Sequence, residues 1–151
     1  MLRPITADDR ETYIAFAKAF YASEAVCHAI SEKNICDAFE SFVDGNPFAE
    51  CYIVTDNGES AGYVLCAKTY SQEAGGMTMW IDEIYVSPEH RGKGLGSAAL
   101  IYIEGKCAKE GYRRMRLEYT KENEGAHKLY KSLGYETLSY LQMVKDRKDV
   151  K

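Results

Sequence analysis

With 151 residues, 46% of them apolar, the chain is long enough for one well-buried core and too short for two ordinary domains. Its net charge of −4 and pI of about 5.4 argue against a nucleic-acid partner, which calls for a basic stripe to neutralise phosphates, and suit a cationic acceptor instead. Charges at Arg3, Asp8, Asp9, Arg10, Glu11 and Lys18 break up the first twenty positions, which excludes a signal peptide or membrane span there, so a cytoplasmic protein with no membrane partner is expected.

Leu2 to Ile5 reads as a short strand, and Thr6-Ala7-Asp8-Asp9 as a helix cap in which the Thr6 hydroxyl accepts the backbone N–H three residues on; a first helix follows from about Ala7 to Tyr21. Ser31 to Val43 repeats Ile35, Ala38, Phe39 and Phe42 at helical spacing and is stopped by Asp44-Gly45-Asn46-Pro47. Cys51 to Thr55 and Ala61 to Thr69 form a hairpin through Asp56-Asn57-Gly58-Glu59, because Asn-Gly supplies the positive backbone angles of a tight turn. A polar loop from Tyr70 to Gly76 leads into Met77 to Val86, an aromatic and β-branched run stopped by Ser87-Pro88, which predicts a central strand. Gly94 to Glu110 predicts a helix ending at Gly111, Met115 to Tyr119 a strand, Asn123 to Leu133 an amphipathic helix closed by Gly134, and Tyr135 to Lys145 one or two final strands. This order indicates an α/β (α+β mixed-sheet) domain over residues 1–145, with 146–151 as a frayed tail.

Five cysteines, an odd number with no Cys-x-x-Cys pair, read as reduced thiols, three of them inside apolar segments. His28, His90 and His127 fall into no ligand spacing, so no metal is expected.

The segment between the central strand and the next helix carries the most specific signal: Arg91-Gly92-Lys93-Gly94-Leu95-Gly96-Ser97. The first turn of a helix leaves backbone N–H groups unpaired, and together with the helix dipole they form an anion site; glycines let a phosphate approach the backbone, and Arg91 and Lys93 add positive charge. Ser87 stands where a nucleotide P-loop needs its first glycine and Gly94 where it needs Ser or Thr, so that pattern fails. Ser97 stands where a dinucleotide fingerprint needs its third glycine.

What remains, Arg91-x-x-Gly94-x-Gly96 after a strand ending at Val86, resembles the Arg/Gln-x-x-Gly-x-Gly/Ala motif of the Gcn5-related N-acetyltransferase (GNAT) superfamily. Leu117-Glu118 followed by Asn123-x-x-Ala126-x-x-Leu129-Tyr130-x-x-x-Gly134-Tyr135 resembles that superfamily's second block, so the likeness covers nearly the whole chain. Taken alone, either block has an ordinary structural explanation, a tight strand-to-helix connection or a core stripe; both in order do not. The resemblance implies a single-domain GNAT-like fold, a mostly antiparallel central sheet flanked by helices on both faces. It implies acetyl-CoA as cosubstrate, held by residues 91–97 with Tyr85, Val86, Asn123 and Tyr130, and the Val86 main-chain N–H, or a neighbour's, as oxyanion donor. Tyr130 would be the general acid toward the thiolate, and Asn123 would also cap its helix.

For the base, Asp82 and Glu83 on the central strand and Glu118 on the next are carboxylates in apolar strands, costly to bury without a purpose. Asp82 shares strand parity with Trp80, Ile84 and Val86, whereas Glu83 points with Tyr85 to the other face unless a bulge resets the alternation. By resemblance Asp82 sits where aminoglycoside and polyamine acetyltransferases carry their carboxylate, and Glu118 where enzymes acting on protein N-termini do; a water relay can replace either. No thiol lies in the two motif blocks, which favours direct attack in a ternary complex over a cysteine acyl-enzyme. Tyr21, Glu24, His28, Tyr70 and Glu73 are aromatic and acidic groups suited to cradling an ammonium, which predicts a small cationic amine, with a protein N-terminus or lysine as the alternative. A non-catalytic acyl-CoA sensor is the alternative of another kind. The 12 tyrosines and apolar final strands leave surface that could form a homodimer.

Overall fold

The computed structural model describes residues 1–147. Among these, nine strands and α-helices run in chain order: β1 Leu2–Pro4, α1 Arg10–Tyr21, α2 Glu32–Val43, β2 Ala49–Asp56, β3 Glu59–Ser71, β4 Gly76–Val86, α3 Leu95–Lys109, β5 Arg114–Leu117 and α4 Glu124–Ser132. The sheet keeps the order β1-β2-β3-β4-β5. Every neighbouring pair is antiparallel except β4 and β5, which run parallel because α3 carries the chain back between them. The β2–β3 hairpin turns at Asn57 and Gly58, both at positive φ, as Asn-Gly predicts.

Both sheet faces are buried. Ile53, Tyr63, Leu65 and Tyr85 meet Tyr13, Ala17 and Phe20 of α1 and Ile35 and Phe39 of α2. Val54, Val64, Cys66, Met79 and Ile81 meet Leu100, Ile103 and Cys107 of α3 and Tyr130 of α4. Cys51, Cys66 and Cys107 are buried free thiols. The long middle strands thus form the floor of two cores, and β5, only four residues long, leaves one edge of the sheet lightly covered.

Three expectations change. Ala7–Asp9 is a 3-10 turn rather than the start of α1; it is closed by a capping box between Thr6 and Asp9, in which the Thr6 hydroxyl also donates to the Asp9 carboxylate. Asp9 grips Arg3 at 2.7 and 2.8 Å and the Thr6 N–H at 2.8 Å. Tyr135 to Lys145 forms no strand: Tyr140 and Gln142 reach Glu73 and Glu118 by side-chain hydrogen bonds rather than by a backbone ladder, and Leu141 and Met143 stay exposed. Finally, β5 ends at Leu117, so Glu118 follows the strand instead of lying in it. Of the predicted tail, residues 148–151 lie outside the described residues.

Candidate active site

The site grows from an interruption in β4. Leu65 opposes Glu83 but the next residue, Cys66, opposes Ile81, so Asp82 is an extra residue with no partner, a β-bulge. Before the bulge Met79 and Ile81 face α3; after it Ile84 packs on that side, while Glu83 and Tyr85 turn toward α1. The simple alternation that would put Asp82 with both Trp80 and Ile84 on one face is therefore overturned, and the bulge brings both carboxylates to the same region.

Pairing with β5 stops at the same place. The last partners are Ile81 and Leu117, while β4 continues five residues to Val86. The Ser87 N–H donates to the Ala61 carbonyl at 2.8 Å. Antiparallel alternation then turns the backbone groups of Tyr85 and Glu83 toward β3, and those of Val86 and Ile84 away from it, to the side β5 has vacated. Consistent with that, the Val86 carbonyl accepts from Arg91 Nε at 2.9 Å. This opening between the strands is lined by main-chain donors.

At its far end lies the glycine turn. Gly92 and Gly94 sit at φ +75° and +76° with no atom within 4 Å of an added Cβ, and Gly94 caps α3. The first helical bond runs from the Ala98 N–H to the Gly94 carbonyl, leaving the N–H groups of Leu95, Gly96 and Ser97 free of helical partners. The residues present thus fit a pyrophosphate and an extended arm reaching from it along β4. Lys93 is less free than its sequence suggests: Asp56, at the end of β2, accepts from Lys93 Nζ at 2.7 Å and contacts His90 Nδ1 at 2.9 Å, bracing the turn against the β2–β3 hairpin. Both partners hold the Asp56 carboxyl below its ordinary range. Replacing Gly94 by alanine forces an L-residue into the left-handed region at a cost of about 1–2 kcal/mol; a lower Tm and a several-fold weaker hold on a pyrophosphate are expected.

The titratable groups form two sets. Glu83 is only 8% exposed; Tyr21 donates to one of its oxygens and Tyr63 to the other. Burial raises the Glu83 carboxyl, those two hydrogen bonds oppose the rise, and the Asp82 charge adds to it. Burial and the carboxylate raise both phenols in turn. Tyr63 was invisible as a site residue in the sequence, where it reads as one more core aromatic. Asp82 by contrast is more than a third open to solvent. Crowding by protein on its inner side and the charge of Glu118 raise its carboxyl. Asp82 and Glu118 are therefore close enough to repel each other.

Tyr130 is buried against Tyr119 and Tyr135, each ring centroid 6.0 Å away, and burial raises its phenol. Asn123 caps α4, its Oδ1 accepting the Ala126 N–H at 3.1 Å. A groove of about 980 Å³ follows the outer edge of β5 and takes in Trp80, Arg116, Glu118 and Tyr130. It does not include the glycine turn, Asp82 or Glu83.

The five predicted acceptor residues separate. Tyr21 joins the site through Glu83, and Glu24 lies beside it, its carbonyl accepting from Thr120 just beyond β5 at 3.0 Å. Glu73 lies at the β3–β4 turn, at the start of β4 rather than at the bulge, and is spent on Arg114 and Tyr140 at 3.0 and 3.2 Å; Tyr70 is at the same end, 71% exposed. His28 is exposed in the loop between α1 and α2. Among the described residues no His, Cys, Asp and Glu group could hold a metal, and no helix is long and apolar enough to cross a membrane.

Comparison with known proteins agrees with this architecture. The chain is 32% identical over 95 residues to the thialysine N-epsilon-acetyltransferase of Bos taurus, covering 63% of this chain and 51% of that one. It is 34% identical over 107 residues to an uncharacterised N-acetyltransferase of Methanocaldococcus jannaschii, covering 68% and 46%. The chain thus spans about half the length of these relatives. The crystal structure of a possible acetyltransferase from Clostridium difficile 630 superposes with a TM-score of 0.84 at 23% identity, covering 99% of this chain and 98% of that one, and shows the same fold. The model of the acetyltransferase (GNAT) family matches residues 9–135, and the chain, with its bulged β4, splayed β5 and glycine-capped α3, belongs to that family.

Proposed function

We propose that the chain is an acetyl-CoA-dependent N-acetyltransferase that acts on a small cationic primary amine by direct attack in a ternary complex. The observation that carries the acceptor class is the Asp82–Glu118 pair: two carboxylates where β4 and β5 part, with the Asp82 carboxyl raised first by burial and further by the charge of Glu118. An ammonium placed between them relieves the repulsion and favours the charged form of Asp82. Family membership and the free N–H groups at the start of α3 support the donor.

The acetyl thioester supplies an activated carbonyl, and the chain's own groups do the rest. The N–H groups of Leu95, Gly96 and Ser97 hold the pyrophosphate, and the Val86 N–H lies on the open side to stabilise the negative charge that develops on the carbonyl oxygen. Asp82, open to solvent and to the acceptor, takes a proton from the ammonium, directly or through water, so that the neutral nitrogen forms the C–N bond; collapse of the oxyanion then breaks the C–S bond, and the nitrogen's second proton passes to solvent. Glu83 is not placed for that role, because both its oxygens are engaged; it fixes Tyr21 at the end of α1. Tyr130 serves the departing sulfur. Its phenol, raised by burial, is a weaker acid than a thiol of pKa about 8.5, so hydrogen-bond donation to the developing thiolate is its main contribution, with net proton delivery completed from solvent.

The sign of the pH dependence follows from the raised Asp82 carboxyl. The base must be ionised, so kcat falls on acidification through a midpoint above the ordinary carboxylate range of about 4. Glu118→Gln removes the smaller of the two influences that raise it, burial being the larger, and the acidic limb should shift part of the way to lower pH. An acidic limb that persists unmoved in Asp82→Asn removes Asp82 from the role of base.

A further inference from the structure

Trp80 on β4 and Arg116 on β5 are register partners, and the Arg116 guanidinium lies 4.4 Å from the centre of the Trp80 ring. Stacking of this kind orients the planar fork while leaving its N–H edges free to donate. Arg114, two residues earlier on the same side of β5, is committed to Glu73 at 3.0 Å. The Glu73 carboxylate also feels Arg116, yet its hydrogen bonds go to Arg114 and Tyr140. Arg116 itself enters no ion pair among the described residues. It is a half-buried, pre-oriented cation in an acidic protein, lining the same groove as Glu118 and Tyr130.

Its position along the chain sets a distance. Glu118 is two residues beyond Arg116, so their backbones are about 7 Å apart in extended geometry. The groove therefore presents a cationic fork and, one repeat further on, the Glu118 carboxylate.

We propose that Arg116, seated on Trp80, anchors a carboxylate of the acceptor, so that the acceptor is an amino acid whose reacting amine lies at the far end of its side chain, and not a plain diamine or polyamine. The proposal rests on the acetyl-transfer reading above and narrows its substrate class. A fork–carboxylate contact fixes the amine at one distance from the anchor, which a diamine cannot reproduce because its second group is positive and is repelled by Arg116.

Coenzyme A release from acetyl-CoA by the full chain, measured with L-lysine and with 1,5-diaminopentane, tests it, since the two differ by the carboxylate alone. The wild-type protein should favour lysine by about tenfold or more in kcat/KM, mainly through KM, with acetylation at the side-chain amine; this is the scale of one charge-assisted contact. Arg116→Met should bring the lysine-to-diamine ratio to near one, and Arg116→Lys should restore part of it. Equal use of both amines by the wild-type protein, which needs no variant to fold, overturns the proposal alone, as does an Arg116→Met ratio equal to the wild-type ratio. No release from any primary amine overturns the acetyl-transfer reading and takes this one with it.

Discussion

Tyr130→Phe should lower kcat by about ten- to a thousandfold, the range expected when a proton or hydrogen-bond donor is removed, and leave the dissociation constant for coenzyme A nearly unchanged. The separation follows from where the two ends of the side chain lie. The ring is packed between Tyr119 and Tyr135 within the α3–α4 core, and phenylalanine reproduces that packing. Among the described residues the hydroxyl has no hydrogen-bonding partner that holds the fold, and burial raises the phenol. Thermal stability should therefore hold within a degree or two while turnover collapses. Single-turnover acetyl transfer and coenzyme A binding, measured on the same preparation, separate the two effects; an unchanged rate removes Tyr130 from the mechanism.

Gly62→Ala should be the most damaging single methyl in the chain. Gly62 is the register partner of Val86, and a Cβ there would stand 2.0 Å from the Tyr85 carbonyl oxygen and 3.0 Å from the Val86 Cα. Both are backbone, so no rotamer change relieves the contact; β3 and β4 must separate at their paired ends. Overpacking in a core costs roughly 1–3 kcal/mol and more where the backbone has to move. The end of β4 that moves is also the end that aims the Val86 N–H into the opening. Activity should fall further than stability does, and melting curves beside kcat will show it. A variant with wild-type Tm and kcat would mean that the close approach of β3 to β4 does not hold the donor in place.

The sequence makes some of this plain and hides the rest for identifiable reasons. Local signals carry well: Asn57-Gly58 demands a tight hairpin, Gly111 and Gly134 close their helices at positive φ, and Asn123 caps α4. The order of elements and the two motif blocks are likewise local. What alternation alone cannot show is the extra residue at Asp82, because a bulge is a mismatch between two strands and only the register of β3 reveals it. It is the bulge, and not the residue types, that brings Asp82 and Glu83 together and turns the buried carboxylate onto Tyr21 and Tyr63. Long-range partners stay hidden for the same reason: Asp56 on Lys93, and Trp80 on Arg116, are tens of residues apart. The missing C-terminal strands show the reverse error, since apolar residues from Leu138 to Val144 have strand propensity but no ladder in which to use it.

The central claim is transfer of an acetyl group, as distinct from mere binding of acetyl-CoA, and a single measurement addresses it: coenzyme A release and N-acetyl product followed together against a panel of primary amines. The account predicts stoichiometric release and product for at least one small cationic amine, slowed in Tyr130→Phe and falling on acidification. Tight binding of acetyl-CoA with no release on any amine would contradict it and make the chain a sensor of acyl-CoA.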